Sequence, residues 1–262
     1  SMKAGQSTEP YEMNTHQIIG TGDHRVIAVH GWFGSASGWG PLTKVLNRDK
    51  FSYAFMDARG YGGMKGSSGP FSVEQMADDV VALADRLGWD RFDLMGHSMG
   101  GSVVQHVLLD APGRIGKIVA ISPVPASGVP FDEAGWQFFS SAAESLDARK
   151  GIIDLTTGNR LTNVWLQQMA DASWATSDKA AFAAYLPAWA KTDFHEQVKG
   201  NPVPILLVVG QHDPALGEAT ARQTCMQWYP NAQLEVMANA GHYAMDETPV
   251  ALATCMERFL GD

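Results

Sequence analysis

Only two cysteines, Cys225 and Cys255, occur in 262 residues. Two thiols cannot build a disulfide framework, and nothing around either has metal-ligand spacing. Both fall in segments that read as helices, so they are expected to be buried, unpaired thiols in a reducing compartment. Basic residues are scarce too: 19 Lys and Arg stand against 28 Asp and Glu, a formal charge of −9. That balance excludes nucleic acid as the expected partner and disfavours an anionic membrane surface. No apolar run approaches the length of a membrane span. The opening Ser1-Met2-Lys3-Ala4-Gly5-Gln6 lacks the apolar core of a signal peptide, so a cytoplasmic location is expected. There is no Gly-x-Gly-x-x-Gly opening a nucleotide fold and no metal-ligand cluster, so neither a cofactor nor a metal is expected.

What is present is globular. Apolar residues make up 45% and charged residues 18%, ample for a core, and the length suits one domain with an insertion. Residues 1–14 are polar and are expected to be poorly ordered. His16-Gln17-Ile18-Ile19 reads as a short edge strand. Apolar, β-branched runs then mark buried strands at Arg25–Val29, Phe51–Met56, Phe92–Met95, Ile115–Ile121, Val203–Val209 and Gln233–Met237. Helical patterns fall between them at about 39–46, 73–87, 216–228 and 249–260. Ser72 is placed to cap the second of these, and Glu74 lies in its first turn, where the helix dipole favours an anion. Strands alternating with helices predict an α/β fold, with a mostly parallel central sheet and helices on both faces.

One region breaks the alternation. Residues 127–198 hold no convincing strand and read as helices at about 132–145, 147–156, 161–173 and 178–189. The expectation is a helical cap inserted into a core domain formed by residues 1–126 and 199–262. Aromatic residues are dense here, so an apolar pocket beneath the cap is expected. His30, Phe33, Trp136, Phe139, Trp165 and Tyr185 are its candidate lining.

The chemistry gathers around Gly96-His97-Ser98-Met99-Gly100-Gly101, a Gly-x-Ser-x-Gly pentad between an apolar strand and a helical run. That context makes Ser98 a candidate nucleophile on a tight strand-to-helix turn. An ordinary glycine-rich turn would give the same pentad, so the partners matter. A serine hydroxyl needs an adjacent base, and the base needs an orienting group. Asp213 follows the most apolar strand and His242 follows the last one, giving the order Ser98, Asp213, His242. Asp213 would hold one imidazole nitrogen while the other takes the Ser98 proton. Oxyanion donors are expected at the backbone N–H of Met99 and of Trp32. His97 and His212, which flank these residues, are read as positional. Asp57-Ala58-Arg59-Gly60-Tyr61-Gly62 is read as a structural loop beside the site.

These motifs, with His30-Gly31-Trp32-Phe33-Gly34-Ser35, Gly210-Gln211-His212-Asp213 and Gly241-His242, resemble those of the α/β-hydrolase superfamily. The resemblance covers nearly the whole chain outside residues 127–198. It implies the roles of nucleophile for Ser98, acid for Asp213 and base for His242, with oxyanion donors at Trp32 and Met99. The first segment has room for one strand where many members begin with a pair. A serine nucleophile rules against the relatives that use aspartate, the haloalkane dehalogenases and epoxide hydrolases. The form of the His30 loop looks like that of small bacterial carboxylesterases, which implies a small ester or lactone as partner. Carbon–carbon bond hydrolases of the ring-cleavage type are the runner-up, though they often carry Asn where His97 stands. Enol-lactonases and cofactor-free haloperoxidases share the triad, and some proteins of this fold are non-catalytic ligand receptors. The expected assembly is a monomer or a homodimer.

Overall fold

The computed structural model describes residues 13–262. Of the polar start, residues 1–12 therefore lie outside the described residues. The next two differ from the expectation of poor order. Asn14 is fully buried, and its Nδ2 donates to Asp57 O at 2.8 Å.

Seven strands form one sheet: β1 (His16–Ile19), β2 (His24–Val29), β3 (Phe51–Met56), β4 (Phe92–His97), β5 (Ile115–Ile121), β6 (Ile205–Gly210) and β7 (Ala232–Met237). Their spatial order is β1-β3-β2-β4-β5-β6-β7. Only β1 runs antiparallel, pairing with β3 at the edge. β3, β4 and β6 are buried at every position. Continuous burial follows from parallel strands covered on both faces, and it explains why these segments read as unbroken apolar runs. Edge strand β7 instead alternates half-buried and exposed residues over most of its length.

Alternate side chains feed two cores. Ile27, Val29 and Leu94 face one, shared with helices α1 (Val73–Leu87) and α2 (Met99–Asp110). Val26, Ala28 and Met95 face the other, shared with the C-terminal helix Pro249–Gly261. Helix α1 begins as expected: Ser72 accepts from Gln75 N at 3.0 Å. Its far end is closed by Gly88 at φ 71°, a left-handed cap.

Between β5 and β6 stand α3 (Glu133–Ser141), α4 (Leu146–Thr156), α5 (Asn163–Thr176), α6 (Lys179–Lys191) and the short α7 (His195–Val198). Helix α3 stops short of residue 145 because Ser145 is needed as the cap of α4, accepting from Ala148 N at 3.0 Å. After β6 come α8 (Glu218–Gln223) and α9 (Cys225–Trp228); α10 (Ala244–Glu247) and α11 (Pro249–Gly261) follow β7. One continuous helix was expected over 216–228. It breaks at Thr224, whose φ of −123° and ψ of −101° leave the helical region while its hydroxyl donates back to Thr220 O at 2.6 Å. The segment expected as a helix at 39–46 is a single 3-10 stretch at Gly40–Lys44.

The close approach of β4 and α2 to β2 sets the geometry of the pentad. A Cβ on Gly96 would lie 2.3 Å from Gly100 O, and one on Gly100 would lie 2.1 Å from Val29 O. Backbone atoms cannot yield as a flexible side chain can. Gly100→Ala is expected to cost about 3 kcal/mol or more, as overpacking against backbone does. Gly113 also has a positive φ, 81°, but faces open space. Gly113→Ala is expected to cost only about 1 kcal/mol, from left-handed backbone strain. Urea unfolding of the two variants checks the contrast.

Candidate active site

The carboxyl ends of β2, β4, β6 and β7 converge on one mostly apolar cavity of about 90 Å³. Ser98 lies immediately after β4 with φ 56° and ψ −116°. A non-glycine residue at positive φ stores strain, and it persists only where the surroundings enforce it. Here Ser98 N donates to Ile121 O at 3.0 Å, and Ser98 O accepts from Gly101 N at 2.8 Å and Val124 N at 2.9 Å. The Ser98 side chain lines the cavity, as does His242.

His242 Nδ1 contacts Asp213 Oδ2 at 2.6 Å. The other oxygen of Asp213 accepts from the N–H groups of Ala215 and Leu216, each at 3.0 Å. Burial would raise the Asp213 carboxyl, but the nearby His242, its hydrogen bond and the two backbone donors outweigh that and hold it below its usual range. With Asp213 ionised, Nδ1 of His242 carries the proton and Nε2 is free to accept one. The His242 loop is fixed by its own backbone. His242 N donates to Thr156 O at 3.1 Å, and Gly241 N donates to the Glu247 carboxylate at 2.9 Å.

His97 is fully committed to position. Its Nε2 donates to His242 O at 2.7 Å. Burial first, and the adjacent His242 second, push it down to about 3, so it is neutral across the working range. His30 lines the cavity but is likewise engaged. Its Nδ1–H donates to Gly31 O at 2.8 Å and its Nε2 accepts from Ala58 N at 3.1 Å. Asp57 accepts from Ala36 N at 2.9 Å and Thr15 Oγ1 at 2.7 Å, and Arg59 pairs with Asp79 at 2.9 Å. His212 is exposed and stands outside the cavity lining.

The loop after β2 passes close to the pentad: a Cβ on Gly31 would lie 3.1 Å from Ser98 Cβ. Among the described residues, neither Trp32 N–H nor Met99 N–H donates to a backbone acceptor outside regular elements or to a side chain. Trp32 is anchored elsewhere. Its Nε1 donates to Phe182 O at 2.8 Å, and its carbonyl accepts from Tyr61 OH at 2.7 Å.

Of the residues expected in the pocket, His30, Phe33 and Phe139 line it. Trp136, Trp165 and Tyr185 do not. Trp136 packs on Phe131 with Lys191 Nζ 4.4 Å from its ring centroid. Trp165 lies edge-on to Tyr243 at 5.8 Å. Tyr185 is fully buried and donates to Arg59 O at 2.8 Å. Trp136 precedes Phe139 by three residues, close to a full turn, yet the short α3 meets the cavity only at its C-terminal end. On α6 the stripe that meets Trp32 is Phe182 and Trp189, seven residues apart. Trp189 also lines the cavity. Cys225 is buried and Cys255 half-buried, and both are free thiols. Among the described residues, no three His, Cys, Asp or Glu side chains group as metal ligands, and no helix is long and apolar enough to cross a membrane.

Two linkages follow. A carboxyl depressed in the folded state adds stability above its unfolded pKa and loses it as pH falls through the folded value. The stability gap between wild type and Asp213→Asn should therefore be full above about pH 4 and shrink below it, read by urea unfolding from pH 7 to pH 3. Asp246 behaves oppositely. Burial, then the neighbouring Glu247, raises it to about 6, and its Oδ2 has no partner. The folded state then prefers the protonated acid. Asp246→Asn should be more stable than wild type by about 2 kcal/mol at pH 8, with the advantage fading as pH falls through about 6 towards 4.

A family model described as the alpha/beta hydrolase family matches residues 26–254. The esterase YbfF of Escherichia coli is 26% identical over 245 residues, covering 90% of this chain and 93% of its own. A non-heme chloroperoxidase of Streptomyces lividans is 27% identical over 242 residues, covering 87% and 88%. Among solved structures, the enol-lactonase from Burkholderia xenovorans LB400 superposes with a TM-score of 0.81 at 24% identity, over 95% of this chain and 96% of its own. With a parallel sheet whose strand ends meet at Ser98 and a family match across most of its length, the chain belongs to the α/β-hydrolase family.

Proposed function

We propose that the protein hydrolyses a small, uncharged carboxylic ester or lactone through an acyl-enzyme on Ser98. The observation that carries this reading is the shared cavity: the strained Ser98 turn, His242 held by Asp213 at 2.6 Å, and the Trp32 loop all border one space. Nε2 of His242 takes the hydroxyl proton as Ser98 Oγ attacks the carbonyl carbon. The carbonyl oxygen gains the negative charge, which the N–H groups of Trp32 and Met99 receive. The C–O bond to the alcohol then breaks and the alcohol leaves with the proton from His242. Water, losing a proton to His242, attacks the acyl carbon and releases the acid and the free serine. Asp213 keeps the imidazole in the required tautomer throughout.

The cavity supports the substrate class. Among the described residues no Lys or Arg lines it, so a free carboxylate on the substrate would be buried without a partner. A single water needs roughly 10–15 Å³ on the measure by which this cavity holds about 90 Å³. That favours a short acyl chain. Residues 127–198 act as the cap that bounds this space, over a core of residues 1–126 and 199–262. A second reading keeps the same three residues and changes the acceptor. The similarity to a chloroperoxidase is close to that to an esterase, so perhydrolysis, in which peroxide replaces water, is the alternative, with carbon–carbon bond hydrolysis behind it.

The test is a series of p-nitrophenyl esters from acetate to octanoate, with wild type and Ser98→Ala, and halide oxidation measured with acetate and peroxide. Wild type should turn over the short esters, with kcat/KM falling steeply towards octanoate. Ser98→Ala should lose roughly four to six orders of magnitude in kcat. Undiminished hydrolysis in that variant would remove Ser98 as the nucleophile. Faster halide oxidation than ester hydrolysis would favour the second reading.

A further inference from the structure

The helical segment contains one buried charge that none of these steps uses. Arg149 on α4 is fully buried. All its hydrogen bonds go to neutral acceptors. Nε donates to Ala142 O at 2.7 Å, Nη1 to Ser173 Oγ and Ser177 Oγ at 3.0 Å each, and Nη2 to Ala143 O at 3.4 Å. A guanidinium placed so deep, on helix α4 beside Ile152 and Ile153, demands compensation beyond hydrogen bonds.

Aromatic faces supply it. The guanidinium carbon lies 3.8 Å from the Phe182 ring centroid and 4.8 Å from that of Trp174. Such contacts strengthen when the cation is desolvated. Trp32 stacks on Phe182 as well, at 4.0 Å with the planes 10° apart. Two groups this near cannot share one face of a phenyl ring, so Phe182 is clasped between the guanidinium and the indole. The same indole donates to Phe182 O at 2.8 Å. Helix α4 therefore reaches both halves of the site, since Thr156 at its other end accepts the His242 N–H at 3.1 Å.

We propose that Arg149 is a positioning residue for the oxyanion hole, fixing the Trp32 loop through the Arg149–Phe182–Trp32 stack. The inference rests on the reading of Trp32 N–H as an oxyanion donor. A purely structural role would be different: Arg149→Met would lower stability by leaving Ala142 O, Ser173 Oγ and Ser177 Oγ without their donor, and it would leave turnover of the folded protein alone. A positioning role moves kcat. The donor binds the oxyanion more strongly than the ground-state carbonyl, so its displacement is felt in the transition state and little in substrate binding.

The experiment compares Arg149→Met, Arg149→Lys, Phe182→Leu and the Met/Leu double variant on p-nitrophenyl acetate, with thermal melts alongside. Arg149→Met and Phe182→Leu are each expected to lower kcat by about 10- to 100-fold, the scale of a displacement near 1 Å, with KM within about threefold of wild type. Arg149→Lys keeps the charge but not the planar fork, and should fall between wild type and Arg149→Met. The double variant should be no worse than the weaker single, because both break one stack. Folded single variants with kcat within about twofold of wild type would overturn the proposal, as would losses that multiply in the double variant. If Arg149→Met gives no cooperative melt, Phe182→Leu decides, since it leaves every Arg149 hydrogen bond in place. Turnover by wild type that Ser98→Ala abolishes, together with an unaffected Phe182→Leu, removes this inference alone. No ester turnover by wild type removes the oxyanion reading and this inference with it.

Discussion

The closeness of three backbones, β2, β4 and the start of α2, is the constraint on which the site depends. Gly100 lies so near Val29 O that no side chain fits between them. That contact lets the chain reverse within one residue at Ser98, at φ 56°. The strain there is sustained because the Ser98 N–H is engaged with β5 and the Ser98 carbonyl with the N–H groups of Gly101 and Val124. The same closeness brings Gly31, and with it the Trp32 loop, against Ser98. The Ser98 turn and the Trp32 loop thus come to one place through packing alone.

Around that point the protein has left few polar groups free. His30 bonds two backbone groups, His97 holds the carbonyl of His242, Tyr61 holds the carbonyl of Trp32, and Asp57 ties two loops together. Each is a buried polar side chain whose capacity is directed at the surrounding fold rather than at the cavity. A low-dielectric space results in which few groups compete with the Ser98 hydroxyl and the His242 ring for a ligand. Electrostatic help from backbone dipoles is worth most in such a space, because no solvent reorganises around the developing charge.

The helical segment between β5 and β6 is joined at two points to loops that border the cavity. Thr156 meets the His242 loop, and Phe182 meets the Trp32 loop. The segment that lines the cavity with Phe139, Ile152 and Trp189 therefore also touches the His242 and Trp32 loops.

Local patterns in the chain were enough for the sheet, because buried parallel strands must be continuously apolar and each is followed by a turn rich in Gly, Asp or His. β3, β4, β5 and β6 were therefore legible, as were α1 with its Ser72 cap and the strand-end positions of Ser98, Asp213 and His242. Side-chain direction within short helices was not. Trp136, Trp165 and Tyr185 carry the right chemistry for a pocket, yet packing turned them elsewhere, and Trp189 took a place beside the cavity. Arg149 was also silent in the chain, since one arginine in an amphipathic helix ordinarily reaches water. Its value depends on Phe182, 33 residues later, and on Trp32, 117 residues earlier, meeting face to face. The sequence by itself determined the sheet, the order of the chemical groups and the turn that strains Ser98, because those depend on neighbours along the chain. Only the tertiary structure decided which aromatic rings border the cavity and which buried cation stands behind the Trp32 loop, because those depend on how separate helices rotate against one another.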